Sequence, residues 1–232
     1  MKTPAPGRGL CVVVCAGRVL PAFLPEKRPG DFWIAADAGY RTAVEAGRTP
    51  DLFVGDGDSL GTVPEVPEKK VLPRVKDDTD SAAAVKAGLE RGFRRFCLLG
   101  ALGGDRFSHA AANVQLLRYL RTNGAEGLLA DERCVLRFLS PEDGTFELPA
   151  GPGGFFSLFA LDGSASLSVR NAAYSGEDIR LTPDFPLGVS NEPLPGCEIR
   201  VRSGLVMLAA EPDPGVPVRR FDPVPWFRGR ES

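Results

Sequence analysis

Along residues 1–139, short apolar runs alternate with helix-like stretches, and the texture changes after Ser140. The runs 10–15, 32–36, 52–54, 96–99, 127–130 and 135–139 are nearly continuous in apolar residues, as strands buried on both faces require. Between them, 37–46, 79–91 and 108–123 predict helices. Each opens on Asp, Thr or Ser and is followed by Gly47, Gly92 or Gly124. Ala82, Val85 and Leu89 mark one face of the second helix. Strand, helix and strand in succession predict a mainly parallel sheet with helices on both faces.

Beyond Ser140, prolines and glycines multiply, helical periodicity is lost and short strands at 155–161 and 167–170 follow. Runs 198–202 and 205–210, joined by Ser203 and Gly204, read as a β-hairpin. The expectation is a second, all-β domain over 140–232, of a size that suits a small sandwich. Its proline-rich tail at 212–225 has no need of regular structure.

Composition narrows the class. With 43% hydrophobic and 25% charged residues, the chain is ordinary soluble material. Its net charge of -2 offers no basic surface for a duplex, and Arg91, Arg94 and Arg95 fit a solvated helix end better than a nucleic-acid site. No apolar stretch approaches membrane-span length. The run 10–16 is at the short limit for a signal-peptide core and lacks the Ala-x-Ala pattern behind it, so a buried strand fits better. Five cysteines, an odd number and mostly within apolar runs, read as reduced thiols of a cytoplasmic protein. A single histidine, His109, and the lack of any Cys-x-x-Cys pair exclude the usual zinc centres, so a metal here would be hard and oxygen-bound.

The candidate chemistry begins at Asp56-Gly57-Asp58, which follows the apolar run 52–54 directly. Residues two apart on an extended chain share a face but lie roughly 6.5 to 7 Å apart at Cα. Ligand atoms of one Mg²⁺ lie about 3 Å apart, so the backbone must bend between the two carboxylates, and Gly57 permits that bend. An EF-hand does not fit, since Leu60 and Pro67 stand where oxygen ligands belong. Lys76-Asp77-Asp78-Thr79-Asp80 offers carboxylates, a hydroxyl and an ammonium at a helix start, where Asp78 or Thr79 also serves as the cap. The stretch 99–109 is a strand followed by a glycine-rich turn and Arg106, whose planar fork suits phosphate oxygens. It is neither a Walker A loop nor a dinucleotide fingerprint.

Five segments stand in a telling order: Ala35-Ala36-Asp37-Ala38-Gly39; 50–60 around Gly55-Asp56-Gly57-Asp58-Ser59; 76–80; Gly103-Gly104 with Arg106 and His109 through Asn113; and Leu187-Gly188-Val189-Ser190-Asn191-Glu192. Together they resemble the thiamine pyrophosphokinases of bacterial type. That resemblance implies a Rossmann-like nucleotide-binding domain over 1–139 and a thiamine-binding β-sandwich over 140–232. It implies a homodimer with sites between subunits, and pyrophosphoryl transfer from ATP to the thiamine hydroxyl with release of AMP. By the same resemblance Asp56, Asp58 and Asp80 hold Mg²⁺, while Asp37, Lys76 and Thr79 contact the nucleotide. Arg106 meets phosphates, Ser190 and Asn191 face the aminopyrimidine, and His109 is a substrate contact or base. Two carboxylates about 4 Å apart repel by about 4 kcal/mol at an effective dielectric of 20, so gathering three calls for a cation.

The chain departs from the family pattern twice. Asp105 is inserted before Arg106 and Ser108 takes the place of an aspartate, while Gly57 replaces a bulkier residue between the paired aspartates. Other readings are a related pyrophosphokinase acting on a pterin alcohol and a non-catalytic thiamine or nucleotide sensor. A carbohydrate-binding sandwich is a third, but it leaves the acidic loops without a role.

Overall fold

The computed structural model describes residues 9–73, 77–104, 106–149, 154–217 and 219–227. The chain divides into two compact units, Met1–Glu132 with Val218–Asp222, and Arg133–Pro217 with Pro223–Ser232. Strand 134–139 thus groups with the second unit and segment 218–222 with the first.

In the first unit, β1 (Cys11–Val14), β2 (Phe32–Ala36), β3 (Leu52–Gly55), β4 (Glu68–Val71), β5 (Arg95–Leu99) and β6 (Glu126–Asp131) pair in the order β6-β5-β1-β2-β3-β4. Every one of these pairings is parallel. From β1 the chain builds outward to β4 on one side, then returns to add β5 and β6 on the other. Strands β1 and β5 are therefore neighbours at the point where strand order reverses, the place where open parallel sheets bind ligands beyond the strands' carboxyl ends. All residues of β1 are buried. Strand β4, Glu-Lys-Lys-Val, is exposed throughout and closes the sheet with a charged edge that resists further strand pairing.

Among the described residues, three helices cover this sheet: α1 (Gly39–Glu45) lies against β1 and β2, α2 (Asp80–Glu90) against β1, β2 and β3, and α3 (Phe107–Thr122) against β6. Thr79 caps α2, its hydroxyl accepting the Ala82 N–H at 3.1 Å. The buried face of α2 is Ala83, Ala84, Val85, Ala87 and Gly88, shifted from the expected Ala82, Val85 and Leu89. Small residues win that face because the helix lies so near the sheet. A Cβ on Gly88 would fall 2.6 Å from the Phe96 ring and 2.8 Å from the Cys11 sulfur. The arginines near its end are structural. The Arg91 guanidinium sits 5.2 Å over the Phe32 ring and pairs with Glu68, while Arg94 donates to the Phe93 carbonyl at 2.7 Å.

The second unit contains β7 (Cys134–Leu139), β8 (Thr145–Glu147), β9 (Phe155–Ala160), β10 (Ala165–Ala172), β11 (Gly176–Leu181), β12 (Gly188–Asn191), β13 (Pro193–Ser203) and β14 (Val206–Glu211). Four run antiparallel in the order β12-β9-β14-β7, and the others form a separate antiparallel sheet, β11-β10-β13-β8. Buried apolar residues recur at every second position, Leu167 and Val169 on β10, Ile199 and Val201 on β13, Val206 and Leu208 on β14, with Ser168 and Ala209 buried beside them. The hairpin expected at Ser203-Gly204 does not form: β13 pairs with β10 and β8, whereas β14 pairs with β7 and β9. Gly204, at φ 82°, turns the chain from one sheet into the other, where a Cβ would lie 2.8 Å from the Ser164 carbonyl oxygen.

A buried cation anchors the end of this unit. Arg137 pairs with Asp143 at 3.2 Å, lies 4.6 Å over the Phe146 ring and donates to the Trp226 carbonyl. Asp143 in turn accepts the Ser140 N–H at 2.7 Å and its hydroxyl at 2.9 Å. Asp143→Ala is expected to destabilise the protein by about 3 kcal/mol, because it strands a buried guanidinium. Chemical denaturation measures this, and a midpoint like that of wild type would contradict the pairing.

Candidate active site at the carboxyl edge of the parallel sheet

Strands β2 and β3 pair with Ala36 opposite Val54, so the residues just past their ends emerge side by side. Asp37 follows β2 directly, in the left-handed region at φ 48°, a conformation that Asp tolerates better than most residues. Its N–H donates to the Val54 carbonyl at 2.9 Å and its own carbonyl accepts the Tyr40 N–H at 3.1 Å. Gly55 lies against it: a Cβ there would be 3.2 Å from the Asp37 Cα and Cβ. Helix α1 then starts at Gly39, where any side chain would sit 2.0 Å from the Val14 carbonyl oxygen.

Past β3, Asp56 leads into a 3-10 turn over Asp58–Leu60, entered through Gly57 in the left-handed region at φ 75°. This is the bend that the spacing of the two aspartates demands. The Asp58 N–H donates to Asp56 Oδ1 at 3.2 Å, and the Ser59 hydroxyl to Asp58 Oδ1 at 3.1 Å.

One carboxylate oxygen from each of Asp37, Asp56 and Asp58 lies within 4.8 Å of the others. Asp37 is 8% exposed, and its Oδ1 is buried with no hydrogen-bond partner among the described residues. A buried anionic oxygen without a partner is costly. An all-oxygen donor set that includes such an atom fits a hard divalent cation of the Mg²⁺ kind.

Sequence reasoning grouped Asp56 and Asp58 with Asp80 and gave Asp37 to the nucleotide. The structure brings Asp37 to the aspartate pair, whereas Asp80 stands in the first turn of α2 and is not one of the three. The signal for Asp37 was partly present: like Asp56, it immediately follows a buried apolar strand. The Thr79 hydroxyl is engaged as the α2 cap, and Asp78 is held by Lys86, whose ammonium lies 2.7 Å from both its oxygens. That hydrogen bond raises the Lys86 pKa. Lys76 and Asp105 lie outside the described residues.

The glycine-rich turn after β5 packs on the loop after β1. A Cβ on Gly17 would lie 2.3 Å from the Gly100 carbonyl oxygen and 2.4 Å from that of Gly103. Buried Asn113 of α3 donates to the Ala101 carbonyl at 2.8 Å and fixes the turn from the helix side. Arg106 immediately precedes α3 and is exposed, as are Ser108 and His109. Cys15, just past β1, is no nucleophile: burial pushes its thiol up to about 11.

In the second unit, Ser190 is exposed at φ 59°, and its N–H donates to the Ser157 hydroxyl at 3.1 Å. Asn191 is 9% exposed; its Oδ1 accepts the Tyr174 N–H at 3.0 Å and its Nδ2 donates to the Tyr174 carbonyl at 2.8 Å. The carboxamide thus clamps the β10–β11 turn, a role that residue type alone did not disclose.

Fold and site together define an α/β protein with a strand-end carboxylate centre beside a glycine-rich turn. Residues 27–128 match the family model of the thiamin pyrophosphokinase catalytic domain. Among solved structures it is similar to thiamine pyrophosphokinase from Bacillus subtilis, at 21% identity over 88% of this chain and 100% of that one, with a TM-score of 0.74. The Geobacillus thermodenitrificans thiamin pyrophosphokinase gives 23% identity, 89% and 99% coverage and a TM-score of 0.73. Yeast thiamin pyrophosphokinase gives 13%, 90% and 88%, and 0.66. At these identities the likeness speaks for the fold. No curated protein matches the chain. No helix among the described residues is long and apolar enough to cross a membrane.

Asn191→Ala is expected to lower stability by about 1 to 2 kcal/mol without any ligand, through loss of the Tyr174 clamp. Urea denaturation tests this; a residue that served only as a ligand contact would leave the midpoint in place.

Proposed function

We propose that this protein is an Mg²⁺-dependent thiamine pyrophosphokinase (thiamin diphosphokinase), moving a pyrophosphoryl group from ATP to the thiamine hydroxyl. The observation that carries the reading is the convergence of Asp37, Asp56 and Asp58, with one buried oxygen unpartnered, inside the segment that matches the family's catalytic domain. A Rossmann-like reading of the first unit and a sandwich reading of the second go with it.

In this reading Asp37, Asp56 and Asp58 hold Mg²⁺, and Asp80 joins them from α2. The ion, when bound, neutralises charge on the triphosphate. Asp37 then serves the metal as well as the nucleotide side of the site. Arg106, exposed before α3, presents its guanidinium fork to phosphate oxygens, and Lys76 adds an ammonium. The glycine-rich turn lets the backbone approach the polyphosphate. The thiamine hydroxyl oxygen forms a bond to the β-phosphorus as the bond to the α–β bridging oxygen breaks. AMP leaves with that oxygen, and the hydroxyl proton passes to solvent. Ser190 and Asn191 face the thiamine aminopyrimidine from the partner subunit of the expected dimer, and His109 is a substrate contact. The expected assembly is a cytoplasmic homodimer with sites at the subunit interface, without nucleic-acid or membrane partners.

Incubation with ATP, Mg²⁺ and thiamine is expected to yield AMP and thiamine diphosphate; ADP with thiamine monophosphate would refute the reaction type. A pterin alcohol should neither replace thiamine nor compete with it, and nucleotide binding without AMP formation would mark a sensor. Asp56→Asn is expected to lower turnover about a hundredfold or more, since several kcal/mol of charge stabilisation go with the ion, while circular dichroism stays that of wild type. Unchanged turnover would remove Asp56 from the site.

A further inference from the structure

We infer that Arg41 of α1 is a positioning residue for the Asp56–Asp58 turn, an inference that rests on the metal site proposed above. Its Nη2 donates to the Ser59 carbonyl at 2.7 Å. From Ser59 the hydrogen bonds run inward: its hydroxyl to Asp58 Oδ1 at 3.1 Å, and the Asp58 N–H to Asp56 Oδ1 at 3.2 Å. Arg41 therefore joins the helix that begins beside Asp37 to the turn that carries the other two carboxylates.

The turn needs such a tie. Gly57 and Gly61 bracket it at φ 75° and 76°, and Asp58 and Ser59 are exposed. Glycines at both ends leave the unconstrained segment with many backbone states, and an exposed turn has little packing to select one. A donor from a helix docked on β1 and β2 selects the conformation in which Asp58 reaches its neighbours.

Helix formation does not explain an arginine here. Arg41 is in the first turn of α1, the end of a helix where the macrodipole disfavours a cation. A cation beside a metal site also repels the metal. The two roles open to Arg41 thus predict opposite signs. As a bystander charge it weakens cation binding, and its removal strengthens it. As a tether it orders ligands, and its removal weakens binding despite the relief of repulsion.

The test is Mn²⁺ binding, followed by electron paramagnetic resonance on the intact protein without nucleotide or thiamine, for wild type, Arg41→Met and Arg41→Lys. Arg41→Met removes the donor and the charge; Arg41→Lys keeps a cationic donor on a stem long enough to approach the Ser59 carbonyl. Arg41→Met is expected to bind Mn²⁺ about tenfold more weakly, as when other groups that orient metal ligands are lost. Arg41→Lys is expected to recover most of that loss. Affinity in Arg41→Met equal to or tighter than wild type overturns the inference, as does wild-type protein that binds no Mn²⁺. Thermal denaturation checks that each variant is folded. If the Mn²⁺ pattern holds while thiamine gives no AMP, the tether stands and the substrate assignment falls.

Discussion

One buried carboxylate oxygen at the end of β2 sets the terms for the rest of the site. Asp37 Oδ1 is out of contact with water and lacks a hydrogen-bond partner among the described residues, and two further carboxylates approach it. Without a positive charge between them the groups repel one another, and a buried anion carries a desolvation cost besides. The fold nevertheless forces them together. Parallel pairing of β2 and β3 places the two strand ends in register, and Gly55 lets their backbones close to contact distance. Local electrostatics therefore opposes the arrangement, and the packing of the sheet imposes it.

The means of imposing it is close backbone approach at the carboxyl edge. Gly39 brings α1 against the end of β1, and Gly17 brings the loop after β1 against the turn after β5. Both contacts are shorter than any side chain allows. The edge is therefore built from main chain held in place by buried strands, and its polar side chains stand on rigid ends. The two positive-φ glycines around Asp58 are the exception, and the helix α1 compensates for them through Arg41.

Much of this was legible in the sequence because each buried parallel strand needs an unbroken apolar run, and each helix here ends at a glycine that adopts positive φ, at Gly47, Gly92 and Gly124. Strand β4 was not legible, since an edge strand of Glu-Lys-Lys-Val has no apolar signature. Ser203-Gly204 misled for a related reason. A two-residue turn signal fixes a change of direction, but whether the flanking strands then pair depends on which sheet has an open edge. Within the site, the bend at Gly57 follows from spacing alone, whereas the meeting of Asp37 with Asp56 and Asp58 depends on strand order. The clamp made by Asn191 depends on a partner at Tyr174, far away in sequence.

The unpartnered oxygen gains meaning from how thoroughly the same chain satisfies its other buried polar groups. Arg137 is enclosed by the Asp143 carboxylate, the Phe146 ring and the Trp226 carbonyl, and Asn113 spends its amide on the Ala101 carbonyl. Asn191 uses both ends of its side chain. Besides Asp37 Oδ1, the Trp33 indole N–H is the other buried side-chain polar atom without a partner among the described residues. It is a neutral donor in the middle of β2, where an unmet hydrogen bond costs less than an unmet charge. Loose packing would scatter such atoms through the interior. Here the one anionic case falls at the strand end where two other carboxylates converge, which is where a cation would complete its coordination.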